Sequence, residues 1–298
     1  MQTFPPPVAP EPRASAGRRA ASLVQIREVL FPTDLSPESE RAFEHARLLA
    51  ERFCASLTLY HAVEVPDPSY AHWAFNRGRQ IWAHVEETAK ELLARKAELL
   101  HVSHAVHVER AASADQALLA FIRNMQPDLT VMATHGRRGL QHLLLGSVTE
   151  NVFRHSFRPV LCVREPEHGG ALPYRRILVP TDLSLASRLA FPMAALFARQ
   201  FGAEVLAVHV VDAAKAPVEV PSEAWLFSEF FKRDFPGSEI TPQVHHGRVW
   251  ERIVETARVE QADLIVMATR GHDSLADRII GSNTERVVRH APCPVLVA

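Results

Sequence analysis

Two glycine-serine pairs, Gly146-Ser147 and Gly281-Ser282, have the residue types of a phosphate-binding turn. Each pair follows a strand-like segment and directly precedes a segment with helical spacing. Glycine lets a backbone N–H approach a ligand closely, and the start of a helix presents unpaired N–H groups and partial positive charge. Both pairs are therefore candidate phosphate sites. The alternative is structural, because Ser-x-x-Glu, at Ser147/Glu150 and Ser282/Glu285, is also a helix-capping box.

A second pattern, Pro-Thr-Asp-Leu-Ser, occurs at residues 32–36 and again at 180–184. In both places it ends a strand-like apolar segment. Its aspartates, Asp34 and Asp182, are placed to contact a polar ligand group such as a ribose hydroxyl. The alternative is again structural, since Asp and Ser are favoured at the N-termini of helices.

The two patterns belong to an internal repeat that divides the chain into two units of one fold. The Pro-Thr-Asp copies are 148 residues apart and the Gly-Ser copies 135, so the first unit has 13 additional residues. We place them within residues 66–100, with a helix from about Gln80 to Leu100 that is either a lid over the first site or a packing surface. We predict a disordered Pro-rich tail over residues 1–26, a first domain over 27–165, a linker over 166–173 and a second domain over 174–298.

Each unit alternates short apolar, β-branched segments with longer amphipathic ones, which is typical of a parallel sheet with helices on both faces. The predicted fold class is α/β, with two repeated doubly wound, Rossmann-like domains, each with five parallel strands in the order 3-2-1-4-5. The predicted strands cover 29–32, 56–63, 104–109, 129–133 and 160–163 in the first unit and 177–180, 204–211, 243–246, 264–268 and 294–297 in the second. The predicted helices of the second unit cover 185–201, where Gly202 is a natural stop, 249–261 and 284–290.

This topology predicts where a ligand binds. In open α/β sheets, ligands bind beyond the carboxyl ends of the strands at the point where the strand order reverses. Here the reversal lies between strands one and four. Pro-Thr-Asp follows strand one and the glycine loop follows strand four, so the two patterns are predicted to meet at one crevice in each unit.

Composition indicates an ordinary cytoplasmic protein. The chain is 47% hydrophobic and 22% charged with a formal net charge of -1, which provides no electrostatic footprint for nucleic acid or an anionic membrane. The three cysteines lack CxxC spacing, which favours reduced thiols. No apolar segment reaches the roughly 18 residues of a membrane helix. We expect neither nucleic acid nor a membrane as a partner.

Other chemistries have less support. His101, His104 and His107 resemble a metal-binding motif, but strand alternation puts them on two faces of a sheet, so no metal site is predicted. The chain has neither the Gly-x4-Gly-Lys-Ser/Thr loop of P-loop NTPases nor the Gly-x-Ser-x-Gly elbow of hydrolases. No catalytic residue is assigned.

Together, these patterns resemble two copies of the universal stress protein family. The nucleotide-binding signature of that family is Gly-x2-Gly-x9-Gly-Ser/Thr after the fourth strand. Both units match it except at the first position, where Ala133 and Ala268 replace glycine. The Pro-Thr-Asp-x-Ser start also matches, as does Val-x-Arg-His-x-x-x-Pro-Val-Leu at 152–161 and 287–296. The resemblance covers nearly the whole chain outside the tail and the 66–100 insertion.

The resemblance implies an ATP site in each unit, with or without Mg²⁺. Adenine would lie near the ends of strands one and two, and the phosphates would lie on the glycine loop and the start of the next helix. The nucleotide-binding residues implied for the first unit are Pro32, Thr33, Asp34, Ala62, Val63, Ala133, His135, Gly136, Arg137, Gly146, Ser147 and Val148. Those implied for the second unit are Pro180, Thr181, Asp182, Val210, Val211, Ala268, Arg270, Gly271, Gly281, Ser282 and Asn283.

The resemblance also implies how the two units associate. Single-domain relatives dimerise through the last strand, so the closing strands 159–163 and 294–297 are expected to pair antiparallel as an intramolecular pseudo-dimer. Further association of two chains into a homodimer is left open.

The two implied sites differ in charge. The first unit has Arg137-Arg138 beside its glycine, whereas the second has His272-Asp273. Guanidinium groups suit phosphate oxygens, and a carboxylate near a triphosphate is unfavourable. Our hypothesis is that the first unit is the stronger triphosphate site.

We expect an ATP-binding stress-response and signalling module with little or no catalytic turnover. The alternative is a nucleotide-free interaction scaffold of the same fold, which the alanine replacements and Asp273 favour. A third alternative is an enzyme that hydrolyses ATP slowly. It lacks an evident general base near the phosphates, since Asp34 and Asp182 are expected at the nucleoside end.

Overall fold

The computed structural model describes six main segments of the chain, and these include most residues of both predicted patterns. The first glycine of each loop and the predicted tail up to residue 23 lie outside them. Side chains of the helix that begins at Phe75 are described from Gln80 onward. The described residues are 24–65, 75–134, 145–164, 172–212, 239–269 and 280–298, with Ser222, Trp225, Phe231, Asp234 and Phe235.

Ten strands form one continuous sheet in the order β3-β2-β1-β4-β5-β10-β9-β6-β7-β8. The 3-2-1-4-5 order predicted for each unit is confirmed in both halves, which we define as β1–β5 and β6–β10. The strands of the first half are β1 Glu28–Pro32, β2 Ser56–Glu64, β3 His104–Ala111, β4 Leu129–Ala133 and β5 Val160–Val163. Those of the second half are β6 Arg176–Thr181, β7 Glu204–Asp212, β8 Ile240–Gly247, β9 Leu264–Met267 and β10 Val295–Val297.

Seven α-helices cover the two faces of the sheet in the described part of the chain. They are α1 Ser39–Phe53, α2 Phe75–Ala97, α3 Ala114–Met125, α4 Ser147–His155, α5 Phe191–Phe201, α6 Val249–Val259 and α7 Ser282–His290. One hydrophobic core joins α1, α2 and α5 to the first face, and a second joins α3, α4, α6 and α7 to the other. Central strands such as β1 and β9 are covered on both faces, which explains why their sequences are continuously apolar.

Two predicted elements of the second half differ from their predicted bounds by three residues or more. The helix predicted from Leu185 begins only at Phe191, after a 3-10 turn over Ser187–Ala190. Pro192 explains the difference, because proline has no N–H to donate to the preceding turn and is tolerated only at the start of a helix. Strand β8 begins at Ile240 rather than residue 243 and includes Pro242. An edge strand accepts a proline because one side of its backbone has no neighbour.

The helix of the insertion also differs from its prediction. Helix α2 runs from Phe75 to Ala97, rather than from 80 to 100. It ends in a tight turn in which the N–H of Leu100 donates to the carbonyl of Ala97 at 3.0 Å. Helix α2 therefore starts five residues earlier than the sequence pattern indicated.

The two halves join through their last strands. Strands β5 and β10 pair antiparallel, with Leu161 opposite Leu296 and Cys162 opposite Val295. This pairing confirms the antiparallel association predicted for the closing strands. Among the described strands, β3 and β8 are then the edges of the sheet.

Four charged side chains form a ring of ion pairs between α4 and α7. Arg154 contacts Glu150 of its own helix at 3.1 Å and Glu285 of the other helix at 2.9 Å. Arg289 contacts Glu285 at 2.9 Å and Glu150 at 3.3 Å. The two glutamates predicted as capping-box members therefore make ion pairs between the halves.

A buried histidine-tyrosine pair connects the halves on the opposite face. Nδ1 of His45 in α1 lies 2.6 Å from the hydroxyl of Tyr174, which precedes β6, and both side chains are buried. Burial, with a smaller contribution from the charge of Arg41, lowers the pKa of His45 from 6.5 to about 4. His45 is therefore neutral in the folded protein at neutral pH.

No helix in the described part of the chain is long and apolar enough to cross a membrane.

The lowered pKa of His45 predicts an acid-sensitive junction. Between pH 6.5 and about 4 the unfolded chain binds a proton at this residue and the folded chain does not, so the free energy of unfolding falls as pH falls. The loss at pH 4.5 is expected to be about 2 to 3 kcal/mol. We expect His45→Gln to remove this part of the pH dependence, as measured by urea unfolding at pH 7.5 and pH 4.5. Equal pH dependence in the two proteins would contradict the assignment to His45.

Candidate functional site

The Pro-Thr-Asp loop after β1 is held by its own side chains. Oγ1 of Thr33 accepts a hydrogen bond from the N–H of Leu35 at 3.0 Å and donates to Oγ of Ser39 at 2.8 Å. Oδ1 of Asp34 accepts from both the N–H and the hydroxyl of Ser36, at 3.0 and 2.6 Å. Asp34 therefore closes an Asx turn and does not cap α1, where no side-chain cap bond forms.

The second half repeats this loop almost bond for bond. The Thr181 and Ser187 hydroxyls lie 2.8 Å apart, and Oδ1 of Asp182 accepts from the N–H of Ser184 at 3.0 Å. Leu183 has a φ of +65°, as Leu35 has a φ of +61° in the first half. Positive φ is uncommon for leucine, so the side-chain bonds of the loop stabilise a backbone shape that local propensity disfavours.

Helices α4 and α7 begin directly at the Gly-Ser pairs. Gly146 and Gly281 occupy the N-cap positions, and neither helix has a side-chain cap bond. The first intrahelical bond of α4 runs from the N–H of Glu150 to the carbonyl of Gly146 at 2.8 Å. The capping box considered for Ser147/Glu150 and Ser282/Glu285 is therefore absent. The start of each helix presents main-chain N–H groups and partial positive charge at the site.

In the first half both patterns line a single cavity of about 750 Å³. It opens between the ends of β1 and β4, where the strand order reverses, as the predicted topology required. The predicted site residues that line it are Pro32, Thr33, Asp34, Ala62, Val63, Ala133, Gly146, Ser147 and Val148. His135, Gly136 and Arg137 lie outside the described residues.

The corresponding residues of the second half occupy the same edge of its sheet. Pro180 and Thr181 end β6, and Asp182 follows them. Val210 and Val211 lie near the end of β7, and Ala268 follows β9. Gly281, Ser282 and Asn283 form the start of α7, whereas Arg270 and Gly271 lie outside the described residues.

Several residues at the site escaped the sequence analysis, and they tie its parts together. Oγ1 of Thr149, in the first turn of α4, donates to the carbonyl of Ala133 at 2.8 Å, and Thr284 makes the equivalent bond to Ala268 at 3.2 Å. Nδ1 of His61 lies 2.8 Å from the carbonyl of Thr33. His209 repeats that contact with Thr181 at 3.0 Å. Position-by-position comparison of the two halves would have found both pairs.

Tyr60, at the floor of the cavity, has no aromatic counterpart in the second half, whereas Glu64, at one end, corresponds to Asp212. The buried Tyr60 ring stacks on His107, and its hydroxyl donates to Glu109 at 2.7 Å. Burial and then this bond raise the pKa of Tyr60, so the phenol stays neutral. Val208 is the counterpart of Tyr60 in the second half. Glu64, at the end of β2, accepts a bond from the N–H of Ala114 at 3.0 Å, which joins β2 to the start of α3.

Helix α2 forms a further wall of this cavity. Trp82, Val85, Thr88, Ala89 and Leu92 face it along one side of the helix. The sequence left open whether the insertion is a lid or a packing surface. In the structure α2 is a packing surface, because Leu93 and Ala97 of the same helix pack into the core, and its other side lines the cavity.

These features define a class of protein: a tandem doubly wound α/β protein with a crevice at the reversal of its strand order. The profile of the universal stress protein family matches residues 25–164 and 173–298. The chain belongs to the universal stress protein family, with two copies of the family fold.

Similar proteins include one that matches about half of the chain and one that matches nearly all of it. A universal stress protein of Methanocaldococcus jannaschii is 38% identical over 139 residues, which are 42% of this chain and 81% of the relative. One of Mycobacterium tuberculosis is 28% identical over 293 residues, which cover 91% of this chain and 95% of the relative. The crystal structure of a universal stress protein from Archaeoglobus fulgidus has a TM-score of 0.70 at 22% identity and covers 91% of this chain and 97% of its own. At that identity the likeness supports the fold alone.

Gly281 is expected to accept a methyl group without loss of the fold. A Cβ there would lie 3.6 Å from the carbonyl of Thr269, which is an ordinary contact, and its φ is -61°. Gly281→Ala should change the free energy of unfolding by less than about 1 kcal/mol. The comparison variant is Gly247→Ala, where φ is +138° and a Cβ would lie 2.9 Å from Nε of Arg252. That change should cost more than about 1 kcal/mol in urea unfolding, and equal costs would contradict this account.

Proposed function

We propose that the chain is an adenine-nucleotide-binding module of stress response or signalling that holds ATP, with or without Mg²⁺, and turns it over little. The proposal rests on one observation above all. Two patterns about 100 residues apart in sequence converge on one cavity, with a helix N-terminus on one side and a rigid Asp-bearing loop on the other. A helix start attracts phosphate, and a crevice at the strand reversal is where open α/β sheets bind ligands.

The first half is proposed as the stronger site. Arg137-Arg138 follow its loop glycine, whereas His272-Asp273 follow the equivalent glycine of the second half. Arginines favour a triphosphate and a carboxylate opposes it, so ATP would occupy the first half at lower concentrations.

We propose little turnover because Asp34 and Glu64, the carboxylates that line the first cavity among the described residues, accept hydrogen bonds that hold the local backbone. Oδ1 of Asp34 accepts two bonds from Ser36, and Oε1 of Glu64 accepts one from the N–H of Ala114. A general base must reach the attacking water within hydrogen-bond distance, and Asp34 belongs to the loop after β1 rather than to the phosphate seat after β4. We expect phosphate release from ATP far below the usual kcat range of about 1 to 1000 per second.

The decisive test is calorimetric titration of the full chain with Mg-ATP, using Ser147→Ala and Ser282→Ala as a matched pair. Ser147 makes no cap bond, so the fold should be unaffected, whereas loss of one hydrogen bond to phosphate should weaken the tighter site about fivefold. Ser282→Ala should leave the tighter site unchanged. Ser56→Ala is the control, because Ser56 begins β2 and so lies at the other end of the strands from the site.

Two outcomes would contradict the proposal. If the purified chain releases no nucleotide on denaturation and gives no heat with Mg-ATP, it is a nucleotide-free scaffold. If Ser282→Ala weakens the tighter site and Ser147→Ala does not, the second half is the stronger site.

A further inference from the structure

Helix α2 contributes four apolar residues and two polar ones, His84 and Thr88, to the lining of the first cavity. The apolar ones are Trp82, Val85, Ala89 and Leu92, whose spacings of three and four residues place them on one side of the helix. We call these four residues the apolar wall. Polar residues of the lining outside α2 include Asp34 and Ser147.

Two residues of the apolar wall are partly exposed among the residues that the structure describes. Val85 is 38% exposed and Leu92 is 41% exposed, although both line the cavity. Ten residues separate Trp82 from Leu92, so the wall is about 15 Å long at 1.5 Å per residue. One nucleobase is shorter than this wall and cannot cover all of it.

The wall adjoins the nucleoside end of the proposed ATP site. Helix α2 contacts β2 and β3. The phosphate seat follows β4, which is two strands away from β2, with β1 between them. Two strand spacings amount to about 10 Å. An apolar group on the base would therefore lie nearer to α2 than one on the phosphates.

We propose that the first-half site takes an adenine nucleotide whose base bears an aliphatic substituent, which lies along Val85 and Leu92 of α2. This inference rests on the proposed function, since the phosphate seat and the base pocket position the substituent. Each methylene moved from water into an apolar site is worth about fourfold in affinity. A five-carbon chain that is only partly buried should bind at least about tenfold more tightly than ATP.

The experiment titrates the full chain with ATP, N6-pentyl-ATP and 2-pentylthio-ATP, which place the same chain length at two positions of the base. At least one analogue should bind about tenfold or more tightly than ATP. Val85→Ser and Leu92→Ser should each reduce this gain, taken as the ratio of the affinities for the analogue and for ATP in the same variant, to less than about threefold. Both residues are partly exposed, so the fold should tolerate serine.

Ile81→Ser is the matched control. Ile81 lies on the same helix and is 58% exposed, but it does not line the cavity. The gain should persist in this variant. The inference is overturned if ATP binds as tightly as both analogues, or if Ile81→Ser reduces the gain as much as Leu92→Ser. Failure of ATP and of both analogues to bind would contradict the proposed function instead.

Discussion

The site depends on the reversal of strand order between β1 and β4. Helices α1 and α2 return the chain over one face of the sheet, while α3 and α4 return it over the other. No described helix therefore crosses the gap between the carboxyl ends of β1 and β4, and the chain leaves each strand in an opposite direction. The crevice therefore follows from the order of the strands, and the residues after β1 and β4 form its walls.

The second constraint is that helices must cover both faces of a parallel sheet and that few strands can be left with an unpaired edge. The pairing of β5 with β10 removes one edge from each half, and the ring of Arg154, Glu150, Glu285 and Arg289 satisfies the charges beside it. These helices also carry the two Gly-Ser turns at their N-termini. The halves are thus joined along α4 and α7, between the glutamates of the first turns and the arginines of the last turns.

The sequence predicted the strand order and the meeting of the two repeated patterns, and it missed several helix bounds and the side-chain contacts within the site. Alternation and apolar runs were enough for the strand order, because buried parallel strands leave a clear compositional pattern. The convergence of Asp34 and Gly146 followed from topology alone. The bounds of α2 and the start of α5 did not follow, because a single residue such as Pro192 outweighs the average pattern of its neighbours. Contacts such as Thr149 to Ala133 depend on tertiary distance, which no spacing rule expresses.

The first site contains residues that recur in the second half and residues that differ from their counterparts there. The loop of Thr33 and Asp34 and the turn at Gly146 recur in both halves with similar bond lengths, so they can serve only a feature that both sites share. A difference between the halves must come from positions where their residues differ, and in the described residues Tyr60, with Val208 as its counterpart, is one of them. Tyr60 lies on the β2 side of the crevice. Under the proposed function, the two sites would differ in shape at Tyr60 and Val208 and in charge at Arg137-Arg138 and His272-Asp273.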